Sequence, residues 1–166
     1  MCVSTEANHE NFVVPPAAGG GIESWTAAFK RKLETLLDGE PTIVTVLQDR
    51  DGPYIQMIVP HSPGIWLEAT SNEYLTGTVW ELDADSDATL LQFGWQSPEV
   101  PTGPVAADGE PTLPNWWCAV DGAVSPLAVA VLVVTTLTSV YGFTAEKPWT
   151  LETRPAACDG CWEFEP

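Results

Sequence analysis

Residues 42–70 read TIVTVLQDRDGPYIQMIVPHSPGIWLEAT, and this stretch decides the fold class. Thr42-Ile-Val-Thr-Val-Leu47 is rich in β-branched residues, which suit a pleated strand. Asp51-Gly52 is a strong hairpin-turn signal. Tyr54-Ile-Gln-Met-Ile-Val59 follows as a second strand. Pro60 to Gly64 makes another turn, and Ile65-Trp-Leu-Glu-Ala-Thr70 is a third strand. Three strands with short turns form an antiparallel meander. Successive side chains of a strand point to opposite faces. Ile55, Met57 and Val59 therefore share a face with Ile65, Leu67 and Ala69. Tyr54 and Gln56 go to the other, with Trp66 and Glu68. The first face is purely apolar and should pack under helices. The second mixes aromatic and polar groups and suits water or a partner.

Helices flank this meander. Ile22, Trp25, Phe29, Leu33 and Leu36 recur in steps of three and four, with Glu23, Lys30, Arg31 and Glu34 opposite. Gly39 can supply the left-handed cap, so a helix is expected over about 22–38. A short helix fits 84–93, where Asp83 to Asp87 place negative charge at its N-terminus and Gly94 ends it. Asn115 to Val120 returns as a short strand. Pro126 opens a last helix that runs to about Tyr141 and stops at Gly142. The fold class is α+β. Residues 71–82 give no clear pattern, and the prolines of 96–114 mark a long exposed loop. Residues 1–20 read as a disordered tail, 21–152 as one domain, and 153–166 as an acidic tail with a CxxC pair.

Composition narrows the function. The chain has 166 residues, enough for one domain with a real core. It carries 23 Asp+Glu against 6 Lys+Arg, a formal net charge of -17. That balance argues against nucleic acid and against anionic lipid, both of which need a basic face. Ala123 to Phe143 carries no charge and is long enough to span a bilayer. Pro126 near its start and the threonines of its second half favour a buried core helix instead. Met1 to Phe12 lacks the basic and apolar regions of a secretory signal, so a cytoplasmic location with free thiols is expected.

Motifs that carry chemistry fail on inspection. Asp83-Ala-Asp85-Ser-Asp87 starts like a calcium loop, but Ala88 stands where a glycine is needed and Gly94 where a bidentate glutamate is needed. Cys158-Asp-Gly-Cys161 has the spacing of half a zinc site, with no second pair and only Cys2, His9, His61 and Cys118 scattered elsewhere. An incidental thiol pair is the better reading, and removal of 154–166 should barely shift melting. Gly19-Gly20-Gly21 has no GK[ST] after it, there is no G-x-S-x-G elbow, and Cys118 has no obvious base. No catalytic residue, metal or cofactor is expected. The eight tryptophans are the informative excess, and some of them should mark a binding surface.

Local phrases extend this picture. PYIQMIV (53–59), WLEATSNEYL (66–75), LLQFGWQSP (90–98), PNWW (114–117), LTSVYGF (137–143) and KPWTLE (147–152) occur in an order similar to actinobacterial YbjN-like (TY-Chap) peptide-binding chaperone domains. The element order likewise resembles the type III secretion chaperone fold, over about residues 22–152. This resemblance implies an α+β domain that binds peptides or partner proteins without catalysis, often as a dimer. It carries over no catalytic residues. The expected function is a chaperone-like module holding a peptide or protein client, basic in character. A structural or regulatory subunit of a fixed complex is the alternative. Tyr54, Gln56, Trp66 and Glu68 are the candidate peptide-binding residues, unless Trp66 simply packs against the 96–114 loop. A homodimer is expected because the 126–141 helix is apolar nearly all round.

Overall fold

A computed structural model describes residues 10–14, 21–61, 64–98 and 115–156. Its elements run β1 (Glu10–Val14), α1 (Gly21–Leu37), β2 (Thr42–Leu47), β3 (Tyr54–His61), β4 (Gly64–Ala69), α2 (Asn72–Leu75), α3 (Ala84–Phe93), β5 (Trp116–Asp121), α4 (Pro126–Ser139) and β6 (Trp149–Pro155). The strands form one antiparallel sheet in the order β1-β6-β2-β3-β4-β5. The meander of β2, β3 and β4 lies where the alternation put it. Ile55, Met57, Val59, Ile65, Leu67 and Ala69 are all buried, in one cluster with Trp25, Phe29 and Leu33 of α1 and Val129, Val133 and Leu137 of α4. Leu36 is half-buried, but Ile22, expected on the same stripe, is 47% exposed in the first turn of α1.

Two expected boundaries need correction. Residues 10–14, placed in a disordered tail, form β1 and pair with β6 from Glu10↔Thr153 to Val14↔Trp149. Residues 153–155, placed in the acidic tail, complete β6, which pairs with β2 from Thr42↔Pro155 to Leu47↔Thr150. The reason is an accounting of backbone groups. A strand bonded on one side only leaves a row of N–H and C=O groups unpaired, and β6 satisfies that row on β2. Truncation that spares the fold therefore has to begin after Ala156, whose N–H bonds the Pro41 carbonyl at 2.8 Å, and not at Arg154. Cys158 and Cys161 lie outside the described residues.

Side-chain clasps hold the connections. Gln48 at the end of β2 donates to the Thr144 and Lys147 carbonyls, each at 2.9 Å, and accepts from Thr144 N at 3.3 Å. Lys147 pairs with Asp49 beside it. These contacts bring the chain from α4 back to the edge of β2. In 71–82, Ser71 caps α2 by accepting from Glu73 N, and the Asn72 amide bonds both the N–H and the carbonyl of Leu82 at 2.8 Å. Asp83 caps α3, accepting from Ser86 N at 2.8 Å, and Gly94 ends that helix in the left-handed conformation. Gly64 stands where β4 approaches β5 so closely that a Cβ would lie 1.7 Å from the Val120 carbonyl oxygen.

The uncharged stretch 123–143 forms α4, of 14 residues with Pro126 in its first turn and Ser125 as its cap. Such a helix is about 21 Å long, short of the roughly 30 Å of a bilayer core. No helix among the described residues is long and apolar enough to cross a membrane.

Two polar contacts inside this core give measurable expectations. The Trp95 indole donates to Thr136 Oγ1 at 3.0 Å, and both residues are fully buried. Thr136→Val should cost about 1–3 kcal/mol in denaturant unfolding, because it orphans a buried donor. The same change made on top of Trp95→Phe should cost less, since the donor is already gone. Tyr141 donates to the Thr70 carbonyl at 2.6 Å, and burial pushes its phenol far above the usual tyrosine range. Its folded pKa lies above its unfolded one, so its contribution is complete below the unfolded value near 10 and is lost above it. Stability should fall with rising pH beyond about 10, with a slope of about 1.4 kcal/mol per pH unit from this residue. Tyr141→Phe should flatten that slope in pH-dependent melts.

Candidate functional site

Since α1 and α4 pack on the inward face, alternate residues of the central strands stand on the opposite face, which neither of these helices covers. The register arranges them in rows. Glu152, Thr45, Gln56, Glu68 and Trp117 are successive cross-strand neighbours from β6 to β5. The adjacent row is Arg154, Ile43, Ile58, Trp66 and Ala119. Leu47 and Tyr54 pair in a third. Tyr54, Gln56, Trp66 and Glu68, the four candidates from the sequence, thus share one face, and each is half-buried.

Specific contacts join Tyr54, Trp66 and Glu68, while Gln56 takes its place on the face through strand register alone. Trp66 and Trp117 stack with centroids 5.1 Å apart and planes 9° apart. The Trp66 indole N–H donates to Glu68 Oε1 at 3.1 Å. Asn115, buried at the start of β5, donates through Nδ2 to Glu68 Oε2 at 3.5 Å and to the Tyr54 hydroxyl at 3.4 Å. Its Oδ1 accepts from Ser71 N at 3.3 Å. Burial raises the Tyr54 phenol above its ordinary range, the nearby Asn115 amide opposes this, and Tyr74 and Glu68 add to it. Tyr54 therefore stays neutral at pH 7. Tyr74 of α2 is 55% exposed and lies near enough to Tyr54 to influence its phenol. The Trp117 indole N–H is buried without a hydrogen-bond partner.

The sequence reading placed Tyr54, Gln56, Trp66 and Glu68 but not Trp117, Asn115 or Tyr74. One signal for Trp117 was available. Trp116 and Trp117 are adjacent on a strand, so they point to opposite faces, and only one of them can be core. Trp116 is the buried one. Asn115 and Tyr74 carry no periodic signal. The described ring partner of Trp66 is Trp117, while residues 99–114 of the loop weighed against it lie outside the described residues.

Chemically, the face offers flat aromatic surface, one oriented carboxylate and amide groups. Cys118 pairs with Leu67 in register, on the other face, and burial pushes its thiol up, which weakens it as a nucleophile. Among the described residues no group of three or more His, Cys, Asp or Glu is placed to hold a metal. His61 ends β3, and His9 lies outside the described residues.

Comparison with known protein families finds a match over most of the chain. The family model for "T3SS (YopN, CesT) and YbjN peptide-binding chaperone 3" matches residues 23–156. That span runs from the first turn of α1 to the end of β6 and takes in every residue of the aromatic face. No curated protein and no solved structure matches the chain. A family match over most of the sequence places this chain among the T3SS and YbjN peptide-binding chaperones.

Proposed function

We propose that the protein is a non-catalytic chaperone-like module that holds a peptide or protein client on the sheet face opposite α1 and α4. The observation that carries this reading is the joined group of Trp66, Trp117, Glu68, Asn115 and Tyr54 on that face. Aromatic area interleaved with acceptors suits an extended peptide, which brings both apolar side chains and backbone donors. The client is basic on this reading, because a net charge of -17 attracts positive chains and repels acidic ones. Its site of action is the cytoplasm.

The working form is a homodimer. Leu127 and Val131 lie one turn apart on α4, 50% and 47% exposed, and they are the remaining uncovered apolar strip of a helix whose other side is core. A second copy would remove this strip from water.

Clients captured from a lysate by the full chain and identified by mass spectrometry give the material for the test. The double change Trp66→Ala and Tyr54→Ala should weaken a captured client by about 2 kcal/mol or more, the range for aromatic anchors. The circular dichroism of the variant should stay native. Unchanged affinity in a folded variant would remove this face as the site. Raising salt from low to physiological strength should also weaken a basic client, and a salt-independent affinity would contradict the charge argument. Light scattering at tens of micromolar should report twice the monomer mass, and Leu127→Asp with Val131→Asp should halve it without lowering the melting temperature. A monomeric mass for the unaltered chain sinks the dimer.

A further inference from the structure

On the reading that the face opposite α1 and α4 holds a client peptide, we infer that Glu68, Trp66 and Trp117 form a subsite for an arginine side chain of that peptide. The inference begins with the carboxylate. Glu68 is half-buried, and each of its oxygens already accepts one hydrogen bond, Oε1 from the Trp66 indole at 3.1 Å and Oε2 from the Asn115 amide at 3.5 Å. Both donors are neutral, so the charge is oriented but not compensated. A carboxylate has about four lone-pair sites. One site per oxygen therefore remains, the arrangement that a forked, two-pronged donor satisfies.

Among the described residues, no lysine or arginine of the chain supplies the compensating cation. The chain's six such residues are Lys30, Arg31, Lys32, Arg50, Lys147 and Arg154. Lys30 pairs with Glu34 and Lys147 with Asp49. Arg31 and Lys32 stand on α1, and Arg50 in the turn between β2 and β3. Arg154 is on the same face, but β6 is three strands from β4, about 14 Å at ordinary strand spacing. No salt bridge to Glu68 exists among the described residues, and no lysine or arginine lies outside them.

The two indoles select which cation fits. Trp66 and Trp117 stack on each other, which leaves each ring one outer face. Trp117 is directly opposite Glu68 across the strand pair, and Trp66 is two residues along the same strand face. A cation drawn to the carboxylate therefore meets an aromatic face at the same place. A guanidinium lies flat on an indole while its N–H edge reaches the two carboxylate oxygens, and it is weakly hydrated. A lysine ammonium is a strongly hydrated point charge that cannot fork.

The experiment selects a displayed library of random peptides on the full-length protein, on Glu68→Gln and on Trp117→Leu. Both variants are first checked for native circular dichroism and melting. Arginine should be enriched at one peptide position at least tenfold over its library frequency on the unaltered protein, and the preference should vanish on Glu68→Gln and weaken on Trp117→Leu. Resynthesis of a selected peptide with citrulline in place of arginine keeps the shape and removes the charge. It should cost at least tenfold in affinity for the unaltered protein and little for Glu68→Gln. Absence of arginine enrichment, or enrichment that survives Glu68→Gln, overturns the subsite and leaves peptide binding at the face intact. Selection of no peptide at all overturns both. If Glu68→Gln fails to fold, the citrulline comparison on the unaltered protein decides alone, and equal affinity for the two peptides is fatal to the inference.

Discussion

The pleat of β3 and β4 governs the molecule. Each strand presents alternate residues to α1 and α4, and those helices cover one face only. Fully burying a side chain such as Met57, Leu67 or Leu137 contributes about 1.5–3 kcal/mol relative to exposure, and the cluster holds many such residues. A slip of one residue would exchange Ile55, Met57 and Val59 for Tyr54, Gln56 and Ile58. It would also drive Glu68 under the helices, where an unpaired carboxylate costs several kcal/mol. The core thus fixes the register, and the register assembles the aromatic face. The face needs no independent folding signal.

A polar seam joins the two sides of the sheet. Thr70 Oγ1 accepts from Tyr54 N at 2.8 Å and donates back to the Tyr54 carbonyl at 2.9 Å. The Thr70 carbonyl in turn receives the Tyr141 hydroxyl from beyond the end of α4. The next residue, Ser71, caps α2 and gives its N–H to Asn115. Residues on the helix side, the sheet end and the open face thereby share one short run of chain. Buried polar groups of this kind are strong when every member is satisfied. They hold Tyr54 and Glu68 at fixed places, which lowers the ordering cost of binding a partner.

What the sequence made legible follows from periodicity. Strands 42–47 and 54–59, the core stripe of α1, the acid-capped α3 and the Pro126 start of α4 each carry a repeating or terminal signal, and each lies within two residues of its expected place. The rest rests on other physics. β6 alternates Trp149, Leu151 and Thr153 inward, a readable pattern, but its place between β1 and β2 depends on pairing across the whole chain and on the Gln48 clasp. β1 is five residues long, too short to stand out beside Pro15 and Pro16. The segment 71–82 is held by the amide of Asn72 instead of by apolar spacing. The candidate site divides the same way. Its four strand residues came from alternation, whereas Asn115 and Tyr74 arrive from other segments and are placed by hydrogen bonding and by α2.

Gly64 gives the open face an adjustment that is not on it. The gap between β4 and β5 is set there by backbone meeting backbone, with no side chain between them. A methyl group at that position has to displace the Val120 carbonyl, and β5 carries Trp117 three residues before it. The spacing of the indole pair is therefore controlled from the strand end, as a hinge pin sets the clearance of a jaw. A designer seeking a wider spacing of the indole pair could vary residue 64 and leave every ligand-facing group chemically unchanged.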